Sequence, residues 1–442
     1  ANATDSKITV QTAGTNATND TITLNKAATG SDTQVLTTTG GDATVSSGAA
    51  VLSMQGDADV GGALALTTTT GAINIGTGTS AGYDVTGGST SITSGTGAIT
   101  AYGSINSDGA SGNTLVQTQN AITLTKESAA STVLSSKNGN VTVKPFTSAG
   151  DYALEITGDI KAGGSIDLET NSGDITYNGA AEAVKALTVK SNATGGSISV
   201  TGNLKTTGDS ATDSQITVQT AGTDATNDTI TLTKAEGGSD DVLTTTAGNA
   251  TVNSGAAALS MQGGATVGGA LELTTSSGKI TVGSDEVTPT LSSTGSTTTI
   301  HTTSGGAIEI NGIAKSLNGT TVQTEGGSGN ATITVNGGLE TTGDDSKNAI
   351  LVETAGDKIS LTGTTATTAE NQVLTTNKGN ASVIAGGTGA IDIQGNAAVG
   401  GALQVNTASG DITIGSEQNK DFSVKGATTD ISSSNGGTVT IY

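Results

Sequence analysis

Acid–base chemistry needs two carboxylates whose proton affinities differ. The clusters that stand out for it are Asp57/Asp59, Asp240/Asp241, Asp285/Glu286 and Asp344/Asp345. A polysaccharide lyase or hydrolase would also need a cation to grip a uronate or an oxyanion, and aromatic rings on which sugars stack. The chain has no Arg, and its aromatics are only Tyr83, Tyr102, Tyr152, Tyr177, Tyr442, Phe146 and Phe422. Asp57 and Asp59 become Gly264 and Thr266 in a second copy of the same stretch, so the protein does not keep that pair within itself. With a net charge of −22, these clusters read as solvated turns, and no catalytic residue is assigned.

His301, in STTTIHTTSGGAIEI, is the only histidine and there is no Cys. Alone it cannot anchor a zinc site or complete a Ser-His-Asp set, so it reads as an outward polar residue beside a buried Ile300. Acidic turns stacked at a corner can form oxygen cages that hold structural calcium. The Gly-Gly-x-Gly-x-Asp nonapeptide of calcium rolls is absent, and no residue is assigned to a metal or cofactor. Gly-rich stretches carry no nucleotide signal in a chain with 66 Gly. Sequons such as Asn16-Ala17-Thr18 and Asn249-Ala250-Thr251 arise from composition and read as turns. The runs Thr67–Thr70 and Thr244–Thr246 lack the Thr-x-Thr on every coil that an ice-binding face requires.

The elements that must carry these residues are announced by repetition. Ala3–Ala27 (ATDSKITVQTAGTNATNDTITLNKA) returns at Ala211–Ala235 with three changes, Lys7/Gln215, Asn16/Asp224 and Asn25/Thr233, an offset of 211 − 3 = 208. Val-Gln-Thr recurs at Val10, Val116, Val218 and Val322, and Val-Glu-Thr at Val352, so the long repeat is two diverged copies of about 104 residues. A second motif follows four of these: LALTTTTGAINI, IDLETNSGDITY, LELTTSSGKITV and LQVNTASGDITI. The expected organisation is one continuous array over 1–442 in four modules, 1–105, 106–208, 209–311 and 312–442, with an insertion around 322–352.

Inside a module the period shortens. Ile156 to Ile175, Met54 to Ile73, Met261 to Ile280 and Ile393 to Ile412 all span 19 residues, and each stretch alternates aliphatic and polar residues between Gly-containing turns. Period-two alternation over three to five residues means short strands with one buried face. A coil of about 20 residues cut into such strands is a parallel β-helix: all-β, each strand pairing with its equivalent one coil on. Aliphatic ladders at a spacing of about 4.8 Å would line the inside, and Thr, Ser and Asn ladders the outside. At that rise about 22 coils would make a rod on the order of 100 Å long. A string of immunoglobulin-like sandwiches fits the module length, but neither the 19-residue inner period nor an aromatic content of 2%.

The pattern aliphatic-x-Gly-x-aliphatic, Gly-Gly-x-aliphatic-x-aliphatic, Ser/Thr-Gly-x-Ile-x-aliphatic is seen in ITGDIKAGGSIDLETNSGDITY, Ile156 to Tyr177. With small departures it recurs in MQGDADVGGALALTTTTGAINI and IQGNAAVGGALQVNTASGDITI. These coils resemble those of filamentous-haemagglutinin-type adhesins and related autotransporter passengers. The resemblance implies a right-handed coil and export to a bacterial cell surface. The family's targeting cap and barrel translocator are not recognisable, which fits a central segment of a larger protein.

The function expected is a non-enzymatic extracellular scaffold, adhesive or structural, whose partner is a host or environmental surface. The alternative is a self-assembling subunit of a filament, sheath or surface layer, partnered by copies of itself. More remote is a polysaccharide-active enzyme or a fibre. The negative charge works against nucleic acid and anionic lipid, and no run of 18 apolar residues spans a bilayer as a helix.

Overall fold

The computed structural model describes residues 7–12, 14–26, 33–78, 82–126, 131–146, 152–326, 331–363, 371–417 and 422–442. Its regular structure among these residues is all β, with 47 strands and no helix. The chain divides into two compact units, Ala1–Gly208 and Asp209–Tyr442, and each is wound as a parallel β-solenoid.

One coil of the first unit shows why these residues wind this way. Ala43–Ser46 lies on a first face and Leu52–Gln55 on a second; Asp57–Thr68 covers the third face and bends into the first face of the next coil. Ala43, Val45, Leu52 and Met54 are fully buried, whereas Thr44, Ser46, Ser53 and Gln55 between them are half-exposed. That is the sheet's period of two, with β-branched Thr on the outside where its stiff side chain suits a strand.

Parallel pairing stacks like on like. On the second face of the first unit, Ile22, Leu52, Ile73, Ile99, Ile122, Leu154, Ile175 and Ile198 form one inward ladder. In the second unit the ladder runs Ile230, Leu259, Ile280, Ile308, Ile333, Ile359, Ile391, Ile412 and Val439. Burying each such side chain stabilises the column by about 1.5–3 kcal/mol. A narrow lining of Ile, Leu, Val and Ala needs no aromatic bulk, and Tyr177 is its one fully buried ring.

Ile156 pairs with Tyr177, and Leu154 with Ile175, an advance of 175 − 154 = 21 residues, and the shortest step among the described pairings is 103 − 83 = 20, from Tyr83 to Gly103. Other coils are lengthened by loops between strands, up to 43 − 8 = 35 residues from Ile8 to Ala43. The two ladders above therefore count seventeen coils instead of twenty-two. The stretch expected as an insertion is itself a coil: Val322 pairs directly with Val352, and Ile333–Asn336 and Gly338–Thr341 take their places on the second and third faces.

The corners explain the Gly and Thr content. Between the first and second faces, the buried hydroxyls of Thr68, Thr170, Thr275 and Thr407 donate to the carbonyls of Gly71, Gly173, Gly278 and Gly410. Between the third and first faces, Thr38, Thr245 and Thr376 do the same to Gly41, Gly248 and Gly379. There the side-chain oxygens of Asp42, Asn249 and Asn380 accept the N–H of Ala63, Ala270 and Ala402, one coil on, at 2.9, 2.8 and 2.8 Å. A buried carbonyl or amide without a partner costs about 1–3 kcal/mol, so these corner bonds offset a penalty that the turns would otherwise carry. Between the second and third faces Gly is needed sterically. Gly202 has φ +140°, and a Cβ on it would lie 1.9 Å from the Gly179 carbonyl oxygen.

Candidate functional site

Strands display their outward side chains at every second position, so the surface chemistry is set by which residues occupy those positions on each face. On the second face they are chiefly Thr, Ser, Asn and Gln. Many are tied down: Gln55, Gln262 and Gln394 each reach over to the carbonyl of a glycine one coil on, Gly76, Gly283 and Gly415, at 3.4, 3.2 and 2.8 Å. Some charged outward residues pair across coils, as in Lys279–Glu309 at 2.5 Å, Lys205–Glu182 at 3.1 Å and Lys315–Glu340 at 3.4 Å. Such exposed pairs contribute at most about 1 kcal/mol each, so they tune the surface without holding the fold.

The four carboxylate clusters take different places. Asp57 closes a corner: one carboxylate oxygen accepts the Asp84 N–H at 2.9 Å and the other accepts the Thr33 hydroxyl. Asp240 and Asp241 meet Glu286, from the Asp285/Glu286 cluster, around a polar hollow of about 360 Å³ that Lys234 also lines. Lys234 Nζ lies 2.8 Å from Asp240. That hydrogen bond, and then the ammonium charge, hold the Asp240 carboxyl below the usual carboxylate range. An acid held ionised in this way has no proton to give. Asp344 and Asp345 line an open hollow with Lys378, where Asp345 accepts the Lys347 N–H at 3.0 Å in a turn.

His301 sits on the first face of the second unit between Thr274 and Gln323, beside the fully buried Ile300. Its Nε2 lies 3.4 Å from Glu325. Among the described residues no group of three His, Cys, Asp or Glu side chains converges to hold a metal. Of the sequons, Asn16 accepts the N–H groups of Thr18 and Asn19 in a local turn, and Asn249 is one of the corner staples. In the Thr67–Thr70 run, Thr68 turns inward to its corner carbonyl, so the run presents no continuous hydroxyl row.

One carboxylate pair escaped the sequence reading. Asp167 and Glu169 share an outward strip of the strand Ile166–Thr170, both half-buried. Burial, and then the Glu169 charge, raise Asp167 to about 6. The signal was present: Asp167 and Glu169 have the same two-residue spacing as Asp57 and Asp59, and on a strand that spacing puts both on one face. At Asp84 the balance goes the other way. Burial opposes ionisation there, yet hydrogen bonds from Ser104 and Lys126, with the Lys126 charge, hold it low.

No helix of the described residues is long and apolar enough to cross a membrane. No family model, no curated protein and no solved structure matches the chain; what is established is a repeat protein of the parallel β-helix kind.

Proposed function

We propose that this chain is a non-enzymatic scaffold displayed outside a bacterial cell, of the filamentous-haemagglutinin type its coil motif resembles. Its faces would serve as a stiff, repetitive surface for adhesion or envelope structure. The observation that carries this reading is that outward side chains recur as ties to the next coil at matching positions in three separate places. The Gln-to-Gly-carbonyl links at Gln55, Gln262 and Gln394 are the clearest case. Groups locked into a lattice maintain a surface; catalysis needs groups free to change partners. Immunogold labelling of intact producing cells tests it. Surface label is expected, and label that requires permeabilised cells would remove the reading. Turnover of a polysaccharide by the purified protein would remove its non-enzymatic part.

A further inference from the structure

Asparagine followed by glycine is a reactive pair, because glycine has no side chain to keep its backbone nitrogen away from the asparagine amide carbon. The pair occurs six times, at Asn138, Asn178, Asn311, Asn318, Asn336 and Asn435. In four of these the glycine N–H is already engaged. Gly139 and Gly319 donate to the Ser136 and Ser316 hydroxyls at 2.9 and 3.0 Å. Gly179 and Gly337 donate to the carbonyls of Thr201 and Thr362 at 3.0 and 2.7 Å. In a fifth the side chain is held instead. Asn311 is 4% exposed, its amide donates to Glu309 at 3.2 Å, and its oxygen accepts from Asn336 at 2.8 Å.

Asn435 and Gly436 differ on both counts. They form the corner between Thr428–Ser433 on the first face and Val439–Ile441 on the second face of the second unit. Backbone bonds fix the turn on either side of them: Asn435 N–H donates to Ala408 O at 2.8 Å, and Gly437 N–H to Ser433 Oγ at 3.1 Å. Both residues are exposed, and no described residue accepts the Gly436 N–H or bonds the Asn435 side-chain amide. Gly436 has φ +97°, and nothing lies within 4 Å of where a Cβ would stand, so its nitrogen can swing toward the amide carbon unhindered. Gly195, at the matching corner after Leu187–Ser191 in the first unit, has φ +103° and the same open space. The openness therefore belongs to this kind of turn.

We propose that Asn435 is a site of spontaneous deamidation, selected by the fold from the six candidate pairs. The Gly436 nitrogen gives its proton to hydroxide and attacks Asn435 Cγ. The bond from Cγ to the side-chain nitrogen breaks, and ammonia leaves after taking a proton from solvent, which closes a cyclic succinimide. Water then adds to either ring carbonyl and opens it. Water is consumed and ammonia released, with no oxidant or reductant. Opening at one carbonyl gives aspartate, and at the other isoaspartate, whose backbone is a methylene longer. Either product adds a negative charge to a chain already at −22. Isoaspartate also lengthens the turn between the bonds to Ala408 and Ser433 that fix it.

The experiment is peptide mapping by mass spectrometry of the full-length natural protein, incubated at mildly alkaline pH both folded and in denaturant. Electron-transfer fragmentation separates aspartate from isoaspartate. A hydrogen bond that must open before the attack slows a site by about tenfold. In the folded chain Asn435 should therefore react about tenfold faster than each of the other five, and in denaturant at about their rate. Ser136→Ala frees the Gly139 N–H and should speed reaction at Asn138 by a similar factor. Asn435 reacting no faster than the others while folded would overturn the proposal. So would a lead that survives in denaturant, because the local sequence would then set it, or an unchanged rate at Asn138 in folded Ser136→Ala. The wild-type comparison decides the matter even if Ser136→Ala folds poorly.

Discussion

At the scale of the residue, the corner hydroxyl contributes most per atom. Thr170 is buried and donates to the Gly173 carbonyl at 2.6 Å, so Thr170→Val keeps the shape and strands the acceptor. The expected loss is about 1–3 kcal/mol in denaturant unfolding. Thr176→Val, at an exposed outward position, should stay within about 0.5 kcal/mol of wild type. Tyr177 presents the opposite case. Its hydroxyl is buried without a hydrogen-bond partner, and the nearby Ile160 N–H is already given to Ala180 O at 2.9 Å. Burial, and then the Asp159 charge, push its phenol well above the usual range, so it stays protonated. Tyr177→Phe removes an unsatisfied group and should stabilise by about 1 kcal/mol; a loss of similar size in the melting curve would mean that the hydroxyl has a partner.

At the scale of the element, a strand is held by its neighbours one coil before and one coil after, and the inward ladder is the shared investment. Leu168 is fully buried between Val143 and Val189. Leu168→Ala should cost about 2–5 kcal/mol, because a column packed from both sides cannot collapse onto the cavity. The glycine corner is limited by conformation and space together. For Gly202→Ala the positive φ alone costs about 1–3 kcal/mol, and contact with the Gly179 carbonyl adds to it. Hydrogen exchange should show that loss concentrated in Asn178–Asn203 amides; a loss spread evenly through the first unit would contradict the corner argument. The alternation that placed Leu168 inside was legible in the sequence. The pairing of Ile156 with Tyr177 was not, because a 19-residue recurrence of aliphatics is compatible with a coil two residues longer when the pattern itself has period two.

At the scale of the whole molecule, charge and repetition set the behaviour. A chain of net charge −22 repels itself, and some of its described lysines each meet a single carboxylate, as in Lys279–Glu309 and Lys358–Asp392. Raising ionic strength from about 0.01 to 0.15 M should therefore raise the melting temperature, since the Debye length falls from about 30 to 8 Å. A fall would mean that the cross-coil pairs outweigh the self-repulsion. Chelation should leave the melting temperature unchanged, because no described side-chain group forms a metal cage. A drop on adding EDTA would point to backbone carbonyl ligands at the corners.

The amino-acid order by itself determined the fold class and the faces: alternation decides which side chains turn inward, Gly marks the corners, and copies 208 residues apart demand repeated units. It also led the carboxylate clusters to be read as solvated turns from composition, without locating them. Tertiary structure alone decided the register, and with it three outcomes. The stretch from Val322 to Val352 became a coil of its own. Asp240 was brought to Glu286 across a coil, and Asp167 was set between the uncharged Thr142 and Thr188. The reason is physical: side-chain direction follows from local backbone geometry, which nearest neighbours in the chain encode. Proton affinity depends instead on what a coil twenty to thirty-five residues away places alongside.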